Sequence, residues 1–158
     1  MRLKGLLSSI PPIIENCPNL RYFQTISDVP FRISSNISKA SNLEEIRFEN
    51  TIITHISDEI QTLDKVKAIY FNNSWLKSIP EAVFKMDALE DLRLDFSWSE
   101  EMIQDIIGAK YWPYPELELP TKIPFNSSIE YIDLTDRLIS ESNLERLQSI
   151  YTEDIVEL

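Results

Sequence analysis

From Leu7 to Ser97 the apolar residues of this 158-residue chain return every 23 positions. With Leu43 as position 1, Leu20, Val66 and Leu89 fall on the same place. Position 4 holds Phe23, Ile46, Ile69 and Leu92, and position 14 holds Ile33, Ile56 and Ile79. Position 18 holds Ile37, Ile60 and Val83, and position 21 holds Ala40, Leu63 and Met86. Ile10-Pro11, Ile14 and Cys17 keep the same register, on positions 14, 15, 18 and 21. Positions 4 and 6 alternate as an extended strand demands. Positions 14, 18 and 21 have the three-or-four spacing of one helical face. Proline at the head of that turn (Pro11, Pro80) suits a first helical position, where the missing N–H is no loss. Each unit thus predicts a strand, a bend and a short helical turn. None buries its apolar side alone, so the units must stack.

After Ser97 the register breaks. "SEEMIQDIIGAK" predicts a true helix, with Ser99 as N-cap and Glu100 and Glu101 in its first turn. A proline- and aromatic-rich stretch follows, in which Leu119-Pro120, Ile123, Asn126 and Ile129 restore the 14-15-18-21-1 spacing. Ile129 to Ile139 gives another strand and bend. The tail "SNLERLQSIYTEDIVEL" predicts an amphipathic helix with Leu144, Leu147, Ile150 and Tyr151 on its apolar face, capping the last open edge.

The segments "LEEIRFENTIITHISDEIQTLD", "VKAIYFNNSWLKSIPEAVFKMD" and "LEDLRLDFS" resemble leucine-rich repeats of the 23-residue type, L-x-x-L-x-L-x-x-N-x-L-x-x-I-P-x-x-I-x-x-L. The resemblance implies an α/β leucine-rich-repeat solenoid, a right-handed β/α superhelix with a short curved parallel sheet of about six strands, each ~4.8 Å from the next. It implies one domain over residues 1–158. Residues 1–97 would form regular repeats, 98–128 an irregular repeat with an extra helix and an aromatic, proline-rich loop, and 129–158 the last repeat and a capping helix. Position 9 departs from the pattern: where asparagine is usual this chain has Asp28, Thr51, Ser74 and Ser97. All are small and able to hydrogen-bond neighbouring backbone, so the turn-supporting role is expected to survive. Position 1 of the first unit would precede Met1. The expectation is therefore a fragment or an abbreviated cap, with an N-terminal strand edge open to self-association.

Composition narrows the function classes. Gly5 and Gly108, the only glycines, stand alone, so no glycine-rich phosphate loop exists. A net charge of -11 argues against a nucleic-acid partner and favours a basic protein surface. A single cysteine, Cys17, gives no intramolecular disulfide, and no stretch has the roughly 20 apolar residues of a membrane span. A cytoplasmic protein without membrane contact is the simplest reading. Catalysis finds no support: His55, the only histidine, falls on the outer bend, and Cys17 falls on a core position. Asp91 and Asp95 could serve as acid and base only in a cleft that raises a pKa, which an open sheet does not offer. No cofactor or metal site is expected, and the sequons at Asn36, Asn72 and Asn126 are what chance gives in an Asn/Ser-rich chain.

In the family this chain resembles, outward strand positions 3, 5, 7 and 8 make a concave binding face. Carried over, they give Tyr22, Gln24, Ile26 and Ser27; Glu45, Arg47, Glu49 and Asn50; Ala68, Tyr70, Asn72 and Asn73; Asp91, Arg93, Asp95 and Phe96. The last strand adds Tyr131, Asp133, Thr135 and Asp136. Charged residues on a solvated strand face are ordinary; solvent-facing aromatics are more typical of binding hot spots. The partner-binding candidates are therefore Tyr22, Gln24, Glu45, Arg47, Glu49, Tyr70, Asn72, Asp91, Arg93, Asp95, Phe96, Tyr131 and Asp133. Tyr111, Trp112 and Tyr114 mark a secondary candidate loop, while Trp75 and Trp98, just past strands, read as edge packing. The expected function is a non-enzymatic module binding a basic protein. The alternative is an immunity protein that neutralises a basic toxin enzyme.

Overall fold

The 23-residue period becomes a stack of strand–turn units in a computed structural model that describes residues 1–27, 29–96 and 116–158. Its strands are β1 (Arg2–Gly5), β2 (Tyr22–Ser27), β3 (Phe31–Ile33), β4 (Glu45–Glu49) and β5 (Ile52–Ile56), then β6 (Ala68–Tyr70), β7 (Trp75–Leu76), β8 (Asp91–Arg93), β9 (Tyr131–Asp133) and β10 (Val156–Glu157). A parallel sheet of seven runs β1-β2-β4-β6-β8-β9-β10, and a second, also parallel, runs β3-β5-β7. The bend of each regular unit is thus itself a short strand, paired with its counterpart in the next unit.

Period-two alternation drives Phe23, Ile46, Ile69, Leu92 and Ile132 inward at position 4, and Phe48, Phe71, Leu94 and Leu134 inward at position 6. Phe48 lies at the centre, stacked on Phe71 at 5.4 Å and tilted against Phe31 and Phe23 at 5.9 and 6.2 Å. Opposite the main sheet run the helical turns: 3-10 turns over Pro12–Asn16, Ser35–Lys39 and Asp58–Thr62, then α1 over Glu81–Phe84. Each buries its position 18 residue, Ile14, Ile37, Ile60 or Val83. Each closes with the same bond, position 21 N–H to position 18 C=O, at 3.1 Å in the first three and 3.4 Å in α1. Pro11 and Pro80 stand one residue earlier than the spacing predicts, at the extended N-cap, and Pro12 takes the first helical place. Proline suits either place, because neither needs its N–H for a helical bond.

Position 9 keeps its turn-supporting role with hydroxyls. Thr51 Oγ1 accepts from Ser27 N–H (3.1 Å) and donates to Glu49 C=O (2.8 Å). Ser74 Oγ accepts from Thr51 N–H (3.3 Å) and donates to Phe48 C=O (3.0 Å). Asp28 and Ser97 lie outside the described residues. The residue before each hydroxyl, Asn50 or Asn73, has φ of 48° or 50°, the left-handed conformation that asparagine tolerates.

The C-terminal third departs from expectation in its tail. β8 pairs directly with β9, so Leu89 and Ile129, 40 positions apart, take equivalent places before neighbouring strands. The helix expected from Ser99, with Glu100 and Glu101, lies outside the described residues, as does Trp98. Leu117 and Glu118 rejoin the stack, with Glu118 donating to Lys77 C=O and accepting from Ile79 N–H at its own carbonyl. Asn126, at a position 21 held elsewhere by apolar side chains, is satisfied by donating to Met86 C=O at 2.8 Å. The tail is only partly helical: α2 (Glu141–Gln148) is capped by Ser140, and the chain then turns to lay β10 against β9. The seventh strand was unforeseen, and Tyr151 is buried beyond the helix, its hydroxyl donating to Pro124 C=O at 3.3 Å.

One core position breaks the rule. Thr25 occupies position 6 in β2, fully buried, and its hydroxyl finds no partner among the described residues. Thr25→Val should raise stability by about 1 kcal/mol, because a buried unbonded hydroxyl costs roughly 1–3 kcal/mol. Chemical denaturation measures it, and a lower midpoint would mean that the hydroxyl has a partner. Phe48→Ala should instead cost about 3–5 kcal/mol, as expected for a phenylalanine packed on three rings.

Candidate functional site

In-register parallel pairing sets equivalent residues side by side on the exposed face of the seven-stranded sheet. One row is Tyr22, Glu45, Ala68, Asp91 and Tyr131; the next is Gln24, Arg47, Tyr70, Arg93 and Asp133. Between them runs a zigzag of alternating aromatic and cationic groups. The Arg47 guanidinium lies 5.9 Å from the Tyr22 ring and 4.6 Å from Tyr70. Arg93 lies 5.0 Å from Tyr70 and 5.3 Å from Tyr131. Five side chains from five strands therefore form one cation–π ladder, and each contact of this kind contributes about 0.5–1 kcal/mol at an exposed site.

Each arginine is also held by the carboxylate two residues before it on its own strand. Arg47 Nε pairs with Glu45, and Arg93 pairs with Asp91 at 3.0–3.2 Å. Tyr70 donates its hydroxyl to the same Asp91 carboxylate at 3.0 Å, and Tyr131 donates to Glu157 of β10. Burial and then that Asp91 bond raise the Tyr70 pKa; the Glu157 bond foremost pushes Tyr131 up to about 12. Both phenols therefore stay neutral donors near pH 7.

Along the next row, Asn72 donates to Asp95 Oδ1 at 2.6 Å. Burial of Asp95 raises its pKa above the ordinary carboxylate value against that hydrogen bond, and the neighbouring Asp133 charge adds to the rise. Glu49, half-buried, follows Ile26 in register.

Two expected face residues are buried, for different reasons. Phe96 is only 5 % exposed: at position 8 the chain has left the strand, and the ring lies 5.9 Å from the buried Arg137 guanidinium. Gln24 is 8 % exposed, flanked in register by the long side chains of Arg2 and Arg47. Tyr111, Trp112 and Tyr114 lie outside the described residues. Glu157, Glu90 and Glu130 were not anticipated. No period-two alternation in Asp154-Ile155-Val156-Glu157 marks β10, and Glu90 and Glu130 fall on position 2, outside the outward positions 3, 5, 7 and 8. Glu90 and Glu130, with Asp91, Arg93 and Tyr131, line a shallow cleft of about 330 Å³ between β8 and β9.

His55 is exposed on β5 of the second sheet, while Cys17 follows the first helical turn, its Sγ 3.7 Å from Ile13 C=O. A cleft of about 450 Å³ runs along β5 and β7 between His55, Asp58 and Trp75. Among the described residues no three His, Cys, Asp or Glu side chains are grouped to hold a metal ion. No helix among them is long and apolar enough to cross a membrane.

No family model matches the sequence, and no curated protein matches it. Among solved structures the chain is similar to a leucine-rich-repeat protein of Leptospira interrogans, with a TM-score of 0.71 at 16% identity. The match covers 97% of this chain and 35% of that one, so the chain spans about a third of its length. The fold is that of a leucine-rich-repeat solenoid.

The half-buried Asp95 yields a pH test. Its folded-state pKa exceeds the unfolded value, so it favours the fold while protonated, at low pH, and this contribution is lost as pH rises through the folded pKa. Asp95→Asn should therefore raise the thermal midpoint at pH 7, and the advantage should shrink as pH falls through the carboxylate range. A midpoint difference independent of pH would contradict the assignment.

Proposed function

We propose that this protein is a non-enzymatic interaction module that binds a protein partner across the exposed face of the seven-stranded sheet. The carrying observation is the Tyr22–Arg47–Tyr70–Arg93–Tyr131 ladder. Large amphipathic groups usually lose side-chain entropy when a partner immobilises them. Here each is already held by a ring, a guanidinium or a carboxylate before any partner arrives. Tyrosine and arginine are also the residue types enriched at binding hot spots.

The arginines' charge is matched within their own strands, and Glu49, Asp95, Asp133 and Glu157 leave the face acidic. The contacting surface of the partner is accordingly basic. Association should slow as salt rises from low to physiological concentration.

Affinity capture with wild-type protein, compared with the pair Tyr70→Ala and Arg93→Glu, tests the reading. The double variant should lose a partner identified by mass spectrometry, with an affinity drop of at least about a hundredfold, since hot-spot truncations cost roughly 2–4 kcal/mol each. Undiminished binding by a stably folded double variant would exclude the sheet face as the interface.

A further inference from the structure

The face is electrically polar along its length. The described residues up to 80 carry nine Lys and Arg against seven Asp and Glu; those from 81 onward carry five against fifteen. Because the units stack in chain order from β1 to β10, this sequence asymmetry is a gradient in space. The N-terminal end of the main sheet presents Arg2 and Lys4, both exposed on β1, and the exposed Arg21 precedes β2. At the other end the nearby cations are already committed. Arg93 is held by Asp91, and buried Arg137 donates to the backbone carbonyls of Ser74 and Leu76. Asp95, Glu130 and Asp133 make no ion pair among the described residues.

That end also has shape. The cleft of about 330 Å³ between β8 and β9 is lined by Tyr131, Arg93 and three carboxylates; Glu90 is paired with Lys67 and Asp91 with Arg93, while Glu130 makes no ion pair among the described residues. Its volume suits one long side chain, and an aromatic wall with carboxylates suits a cationic one. Burial and the Asp133 charge both disfavour ionised Asp95, so an arriving cation would relieve a repulsion already present.

Resting on the reading that this face binds a protein, we infer that the partner places a lysine- or arginine-rich segment over the C-terminal end of the sheet, on β8, β9 and β10, and a less charged surface over the N-terminal end. A reversed partner would set its cations against Arg2 and Lys4, and like-charge juxtaposition penalises that orientation. The gradient thus fixes the direction of docking.

The probe is a short peptide of alternating lysine and arginine, with a serine-substituted peptide of equal length as control, titrated into isotopically labelled protein and followed by NMR. Amide shifts should concentrate on β8, β9 and β10 with the basic peptide and be absent with the control. Asp95→Asn combined with Asp133→Asn should weaken the basic peptide about tenfold, the size expected for losing charge pairing at a contact. Asp58→Asn with Asp64→Asn removes the same charge from the helical-turn side and should change affinity less than about twofold. Equal losses in the two pairs, or shifts spread over all acidic surfaces, would overturn the inference. A captured partner lost by the Tyr70 and Arg93 variant but kept by the Asp95 and Asp133 variant would also overturn it, while leaving protein binding by this face intact. Asparagine keeps a side-chain oxygen to accept the Thr135 N–H that Asp133 Oδ1 accepts, and thermal denaturation of the double variant separates unfolding from lost binding.

Discussion

Parallel pairing in register is the constraint on which the rest of the structure depends. It sets residues 23 apart side by side at about 4.8 Å, so that every position faces its own counterparts in the neighbouring units. Apolar positions gain from this: Phe48 meets Phe71 and Phe23 because strand positions 4 and 6 of adjacent units share one interior. Polar positions are put at risk, since a charge repeated at one position would stack against itself. Over the regular repeats the exposed rows avoid that, whereas Glu90 and Glu130 stand side by side at the acidic end. Arg47, Tyr70 and Arg93 alternate cation, ring, cation along one row, and Arg21–Glu44 and Lys67–Glu90 pair opposite charges along another.

The same register explains why the binding groups are ordered without a partner. Each guanidinium of the ladder has a ring on both sides and a carboxylate on its own strand, which fixes its plane and neutralises its charge. Arg47 and Arg93 thus act more as framework than as free charges, and they hold Tyr70 between them. What remains to attract a partner at long range is the carboxylate excess, concentrated where β8, β9 and β10 lie. Electrostatics then selects the partner and its direction, while the aromatic surface supplies short-range contact.

The scaffold was legible in the sequence because burial imposes the period: Ile14, Ile37, Ile60 and Val83 sit where the spacing put them, all buried. Tyr22, Arg47, Tyr70, Arg93 and Tyr131 were legible as face residues for the same reason, but their mutual stacking was not. It depends on side-chain reach between strands, which a repeat pattern does not encode. Phe96 falls on outward position 8 only by analogy with the family; at that position Asn50, Asn73 and Asp136 adopt left-handed backbone and the chain leaves the strand plane. β10 was missed because two residues carry too little alternation to stand out beside an amphipathic helix. In the second sheet β7 is only Trp75 and Leu76, and β5, Ile52–Ile56, has adjacent apolar residues at Ile52 and Ile53 rather than strict alternation, so the repeat pattern marks these segments only as bends.

Arg137 shows how the stack tolerates a 40-residue unit among units of 23. It stands at position 9, where Thr51 and Ser74 bridge adjacent turns with a hydroxyl, yet its bonds go to Ser74 and Leu76, more than 60 residues earlier. A hydroxyl could not span that distance; a guanidinium can, and its planar fork meets two carbonyls at once. Burying the cation costs solvation, offset by those carbonyls and by the Phe96 ring at 5.9 Å. The inward turn of Phe96 and the burial of Arg137 are therefore one arrangement. It ties the acidic end of the sheet to the regular repeats, so that the surface offered to a partner is continuous from β2 to β10.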